Sequence, residues 1–483
     1  MIPLSATLLA TSTAPRDDDG GERRVLGLGT GVCLVAGLAV GSGIFAAPAH
    51  VLGRVGGGLA ALAVWLGAGL LVLAGSACYA ELGAMFPRNG GDALYLLHSF
   101  SRSAPPTGAI TTITTIQSTS SNSAALSSSP LAALLSFLFV FSSALVARPC
   151  SLAVIASVFG DYLARLIPGA HTVPLLARAL GVTLIWFLTA LNITSTRLGA
   201  IVQDVFTILK LISLVVISIW GFVYLYDHPE YDDAHNFSSA AWQRTSSSVG
   251  DYAIAFYSAL WAYDGWSNLN LVTGELRNPA KNLPRAVLIA PSIVVIVYFL
   301  VNLSYYLILP YTTVTTTKSI ALDFGNHVFG FATSTIVIPL IVLGSTISAC
   351  NAAIFTGSRI TSSAASRNQI PLIFARMHPT HQTPANALVL QATIASAFCM
   401  AATFEPLVTF YGNITMLFYF LTVFGGVVVL RRTHPFLERP FRVPVAVALV
   451  FCGGLAAVVV IGAVERPKEA GFGVLFLGGG VVA

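Results

Sequence analysis

A chain of 483 residues that is 55% hydrophobic and only 9% charged, with a mean hydropathy of +0.79, lies outside the composition of soluble domains, which carry about 25% charged residues. The formal net charge of +5 gives no basis for nucleic-acid binding. Nine scattered histidines, and six cysteines (Cys33, Cys78, Cys150, Cys350, Cys399, Cys452) without a CxxC pair, point to no metal centre, no cofactor and no disulfide framework.

The charged residues cluster between apolar runs of about 20 residues, the length that crosses about 30 Å of hydrocarbon as helix. Barrel strands would alternate over about ten residues instead. The fold class is therefore an all-α polytopic membrane protein held in a lipid bilayer. Residues 1–24 form a polar tail of mixed charge, read as disordered and cytoplasmic. The first apolar run, 25–52, is broken at its centre by Gly41-Ser42-Gly43 and closed by Pro48. A second, 58–86, ends at Glu81 and the polar turn Pro87-Arg88-Asn89-Gly90-Gly91-Asp92. Residues 101–129 are low-complexity Ser/Thr sequence without helical period and read as a flexible insertion.

Apolar runs resume at about 130–167, 174–193 and 198–226, and an acidic loop leads into the stretch from Val249 to Leu271. That stretch carries Asp264 and Gly265 near its middle, where a plain anchor would carry neither. An ionised carboxylate there costs a few kcal/mol or more unless it is paired or wet. A broken helix frees backbone groups that hydrocarbon cannot satisfy. Further runs at about 284–309, 329–361, 384–404, 406–430 and 441–464 bring the expectation to eleven complete helices, with a 13-residue stub from Gly471 as a twelfth. Sixteen basic residues fall on the side that holds the N-terminus and seven on the other, which places the N-terminus in the cytoplasm. Of the Asn-x-Ser/Thr sites, only Asn236 is expected in an outer loop open to glycosylation.

The breaks at Gly41 and Asp264 fall in the first and sixth spans. Interruptions at corresponding positions of two halves point to an inverted-repeat transporter with its site near the midplane. The expected architecture is a 5+5 inverted repeat: residues 25–226 (with the 101–129 insertion) and 249–431 as the repeats, 227–248 as the extracellular loop, and 432–483 as two further helices. Amides freed at Gly41, Ser42 and Gly43 lie at the positive end of a half-helix and suit a carboxylate. Carbonyls freed around Trp261, Ala262, Tyr263 and Asp264 suit an ammonium. Together they fit a zwitterion, an amino acid. Small residues can also serve close helix packing, which would be the reading of Gly41-Ser42-Gly43 had the second break been absent.

The segments VGSGIFAAP, CYAELGAMFPRNGGDALYL, VARPCSLA and AYDGWSNLNLVTGELRNPAKNLPRA resemble the L-type branch of the amino acid, polyamine and organocation superfamily, and are similar to its fungal methionine and amino acid permeases. The resemblance covers about residues 25–465. It implies that Ser42 and Gly43 bind the substrate carboxylate, with Gly41 as hinge, and that the carbonyls of Ala39 and Trp261 hold the amine. Trp261 would also form an aromatic gate, with Asp264 and Ser267 lining the pocket. Ile44, Ala262 and Tyr263 adjoin these and complete the expected site. Lys210, deep within the fifth span, would stand in place of a bound sodium ion; the bland alternative is a lysine snorkelling to the surface.

What the resemblance implies is secondary-active transport of amino acids, neutral ones such as methionine or leucine, independent of sodium and in the plasma membrane, by a chain that is not an enzyme. A proton-coupled permease, with Asp264 or Glu81 as proton carrier, a cationic permease, and a non-transporting amino acid sensor are the alternatives. Relatives with a partner glycoprotein carry a cysteine between the third and fourth helices. Here the loop from Pro168 to Pro174 has none, which argues against a disulfide-linked heavy subunit.

Overall fold

The computed structural model describes residues 27–41, 43–88, 90–101, 129–167, 174–194, 196–227, 236–317, 319–366, 368–381, 383–401 and 404–482. The 1–24 tail, Ser42, the interior of the 101–129 insertion, residues 168–173 and most of the acidic loop lie outside them. The described chain is all helical. The first span is two pieces, α1 (Leu28–Ala39) and α2 (Gly43–Val55), followed by α3 (Gly58–Met85) and the short α4 (Asp92–Ser99). Next come α5 (Pro130–Leu166), α6 (Pro174–Thr194) and α7 (Thr196–Asp227). The second half holds α8 (Val249–Ala262), α9 (Pro279–Ile308), α10 (Phe331–Ser366), α11 (Ala385–Ala401), α12 (Phe404–Thr433), α13 (Val445–Glu465) and α14 (Pro467–Val482).

Eight of these helices are long and apolar enough to cross a membrane: α3, α5, α6, α7, α9, α10, α12 and α13. The first and sixth spans are broken where the glycines predict it, and α11 and α14 are short. The last departs from the expected stub: α14 has 16 residues and begins at Pro467, which at 1.5 Å each gives about 24 Å. Its extra turn comes from Pro467, whose fixed φ and missing N–H suit a first helical position.

Apolar side chains such as Leu70, Phe187, Trp220, Val460 and Leu475 point outward, as a bilayer solvent demands, whereas Lys210, Glu81, Asn302 and Thr346 are buried. Helix α9 lies along α3 and α1, α8 along α2, and α12 along α13. Helix α5 packs on α6, α10 and α11. The two ends of the insertion meet, because the Ser129 hydroxyl donates to the Phe100 carbonyl and also accepts from the Ala132 N–H at 3.2 Å. Ser136 reaches the Ala93 carbonyl at 3.0 Å, so α4 and α5 pack together across the insertion. One expectation is overturned. Asn236 is buried, and its side-chain amide donates to the carbonyls of Tyr306 at 2.9 Å and Leu309 at 2.8 Å, so in the folded chain it closes a turn and is not open to a glycan.

Candidate functional site

Helix α1 ends where its last carbonyls find partners other than the next turn. The Val40 N–H closes onto Ala36, and the Gly41 N–H turns back onto the Ala39 carbonyl at 2.9 Å. The Tyr298 hydroxyl donates to that same Ala39 carbonyl at 3.0 Å, and the Ser345 hydroxyl donates to the Gly41 carbonyl at 3.3 Å. The fully buried Lys210 ammonium donates to the Gly37 carbonyl. A cation at the negative end of a helix is where the dipole favours one, and this depth is no snorkelling position.

The sixth span breaks after Ala262. The Tyr263 N–H still reaches Ala259, the Asp264 N–H bonds Trp261 at 3.0 Å, and Gly265 then takes φ +108, a conformation that side-chain-bearing residues rarely adopt. The chain continues as a 3₁₀ segment, Asn268–Glu275. The two breaks touch: a Cβ on Gly43 would stand 2.4 Å from the Ala262 Cα and 2.6 Å from its Cβ. Glycine at this point is what lets the two broken helices meet.

The open space lies beyond the helix-six turn. A small cavity of about 30 Å³ is lined by Tyr257, Leu260, Trp261, Asp264 and Trp266, by Tyr411, Gly412, Thr415, Met416 and Tyr419 of α12, and by Val72, Phe451 and Leu455 of α3 and α13. Of the expected site residues, Trp261 and Asp264 line it. Ser267 joins through Tyr419, whose hydroxyl is 3.2 Å from the Ser267 Oγ and donates to the Asp264 Oδ1 at 3.4 Å. Ala262 packs on Gly43 instead. Tyr263 turns away, its hydroxyl on the Trp65 carbonyl at 3.3 Å and its ring against Trp65 and Tyr298. Ala39 and Ile44 are buried in the packed core, Gly41 sits at the break, and Ser42 lies outside the described residues.

Above the cavity Trp261 meets Phe404 edge-on at 5.2 Å, and His50 stacks on Phe404 at 4.3 Å. An ion-pair cluster covers this lid. Arg54 bridges Asp251 and Glu405, while Arg466 reaches Glu405 at 2.6 Å and Glu469 at 3.8 Å, tying α2, α8, α12 and α14 together. At the other end Glu81 is fully buried. Arg431 grips both its carboxylate oxygens, the Val443 N–H donates to it at 2.8 Å, and Arg439 stands 3.6 Å away. A carboxylate held by two guanidiniums is a clamp between α3 and α12.

Sequence reasoning missed the α12 face. Tyr411, Thr415, Met416 and Tyr419 recur at helical spacing in TFYGNITMLFYF, and that stripe is the signal that could have found them. Phe404 and His50 carry no such signal, because their pairing is made only by packing.

Residues 26–481 match the family model described as amino acid permease. The chain is 33% identical over 429 residues to the b(0,+)-type amino acid transporter 1 of Mus musculus, covering 89% of this chain and 80% of the relative. It is 30% identical over 460 residues to the Asc-type amino acid transporter 1 of Mus musculus, covering 95% and 80%. With the large neutral amino acids transporter small subunit 2 of Homo sapiens it shares 29% over 482 residues, covering 98% and 82%.

Proposed function

We propose, from the premise that this chain belongs to the amino acid permease family and is a multi-pass membrane transporter of amino acids, that its cargo is neutral amino acids and its cycle independent of sodium. Spans one to five and six to ten act as inverted repeats, and access alternates as the broken helices move against the rest. The observation that carries the neutral reading is the cavity: its walls are aromatic and aliphatic, with Asp264 the one carboxylate among the lining residues. The human relative named for large neutral amino acids supports the same class. Asp264 itself favours a second reading, a cationic cargo, because an anion about 4 Å from a ligand's positive charge contributes about 1 to 4 kcal/mol at effective dielectrics between water and protein surface. Competition of labelled leucine uptake by excess lysine or arginine, in wild type and in Asp264→Gly, separates them. Neutral cargo predicts weak competition in the wild type, and strong competition that disappears in the variant would establish the cationic reading instead.

Lys210 carries the sodium claim. Its ammonium occupies the carbonyl end of α1, where a bound cation would otherwise be favoured. Uptake in proteoliposomes is therefore expected to be equal in sodium and choline media. Lys210→Ala is expected to lose about tenfold or more, since an unpaired buried polar group costs about 1–3 kcal/mol and 1.4 kcal/mol is a factor of ten. A steep sodium dependence of the wild type would falsify the assignment.

The same reading places the N-terminus in the cytoplasm of a cell whose plasma membrane holds the chain. It works without a disulfide-linked heavy subunit, since all six cysteines fall within helices.

A further inference from the structure

The two halves of the sixth span are fastened at opposite ends of the molecule by different chemistry. Helix α8, before the break, is tied by the ion pair of Asp251 with Arg54 at 3.5 Å. The 3₁₀ segment after it, Asn268–Glu275, holds itself less well than an α-helix, because its i→i+3 bonds have poorer geometry, so its place depends on its neighbours. Two side-chain hydrogen bonds fix that place. The Tyr95 hydroxyl of α4 donates to the Asn270 Oδ1 at 3.0 Å with both residues buried, and the Arg148 guanidinium of α5 donates to the Asn268 Oδ1, also at 3.0 Å. The backbone adds to them: the Gly90 N–H reaches the Leu271 carbonyl at 3.4 Å, and a Cβ on Gly83 of α3 would stand 2.4 Å from the Asn270 Oδ1. Helix α4 is itself anchored, since the Asp92 carboxyl at its start accepts from the hydroxyls of Tyr79 on α3 and of Thr422 on α12, the latter at 3.0 Å. Between the two fastenings the chain turns at Gly265, so releasing one leaves the other in place.

We propose that Tyr95 and Arg148 are positioning residues of the transport cycle: their hydrogen bonds to Asn270 and Asn268 latch the second half of the broken sixth span, and the cavity opens toward the Glu81 end only when both let go. The proposal rests on the reading that access alternates as the broken helices move. Neither residue lines the cavity, so both act through the segment they hold. The start of α1 lies against this segment, with a Cβ on Gly31 at 3.5 Å from Leu269 and 3.6 Å from Leu276, so an N-terminus in the cytoplasm makes the latched end the inner one.

Leucine influx and efflux in proteoliposomes of one orientation test it, read as the half-saturating concentration on each side for the wild type, Tyr95→Phe and Asn268→Ala. Tyr95→Phe keeps the ring and deletes only the donor, while Asn268→Ala removes the acceptor that Arg148 uses. Losing one ordinary hydrogen bond shifts the balance toward the state open to the inside, and a side whose competent state is rarer shows weaker apparent binding. The ratio of outer to inner half-saturating concentration is therefore expected to rise about three- to tenfold in each variant. A residue that only supports the fold would lower yield or maximal rate and leave this ratio alone, so an unchanged or falling ratio in either folded variant overturns the proposal. If Tyr95→Phe does not fold, Asn268→Ala decides by the same ratio. Failure of the underlying reading looks different: wild-type protein would then take up no labelled leucine into leucine-loaded vesicles, before any variant is compared.

Discussion

Gly43→Val is expected to reach the membrane and transport nothing measurable, with uptake down by about 100-fold or more for a displacement of about 1 Å at the site. The first carbon of any side chain at residue 43 would sit 2.4 Å from the Ala262 Cα, a backbone atom that cannot swing aside as a side-chain tip can. Valine adds two methyl groups and a stiff χ1 to that overlap. The two broken helices would be wedged apart at the point where their interruptions meet, while the long helices α3, α5 and α9 keep their own packing. Gly41 provides the control, because a Cβ there meets only the Ala349 Cβ at an ordinary 3.6 Å. Gly41→Ala is thus expected to be far milder than Gly43→Ala. Initial uptake rates normalised to surface protein measure both, and a Gly43→Val protein with wild-type rate would remove the contact from any role in the cycle.

Glu81→Ala acts on stability. The carboxylate is fully buried and holds Arg431, Arg439 and the Val443 N–H together at one end of α3. Taking it away leaves the partly buried Arg431 and Arg439 with backbone carbonyls as their only partners, and breaking a buried pair by removing one partner costs up to about 3–5 kcal/mol. Net stabilities are about 5–15 kcal/mol, so this is a large fraction of the whole. The variant is expected to lose most of its folded yield, and the detergent-solubilised remainder to unfold well below the wild type in a thermal scan. Glu81→Gln, which keeps the shape and one acceptor, should fall between them. A Glu81→Ala melting curve that overlays the wild type would mean the clamp contributes nothing. Normal folding joined to a lost pH dependence of uptake would instead make Glu81 a proton carrier.

Much of the fold was legible along the chain because hydrocarbon imposes a local rule. Each span must bond its own backbone, so length and apolar content alone mark α3, α5, α6, α7, α9, α10, α12 and α13. The glycine interruptions were legible for the same reason, since Gly41-Ser42-Gly43 and Asp264-Gly265 violate that rule where nothing but function or close packing repays it. Lys210 was legible as a buried cation, and its partner, the Gly37 carbonyl, stands at the broken end of α1.

The chain alone thus determined which segments cross, where two of them break and which charges lie inside. The tertiary structure decided what those features face. Local sequence places Tyr263 beside Asp264, yet packing sends the tyrosine ring to Trp65 and leaves the Asp264 carboxylate on the cavity wall. Glu81 and Arg431 are 350 positions apart, and no periodicity encodes their meeting. Asn236 reads as a glycosylation site until two carbonyls of α9 and its exit claim its amide. Helix formation depends on neighbours within a few residues, whereas side-chain partners across a bundle depend on how whole helices rotate and dock. That rotation put the cavity between the sixth span and α12.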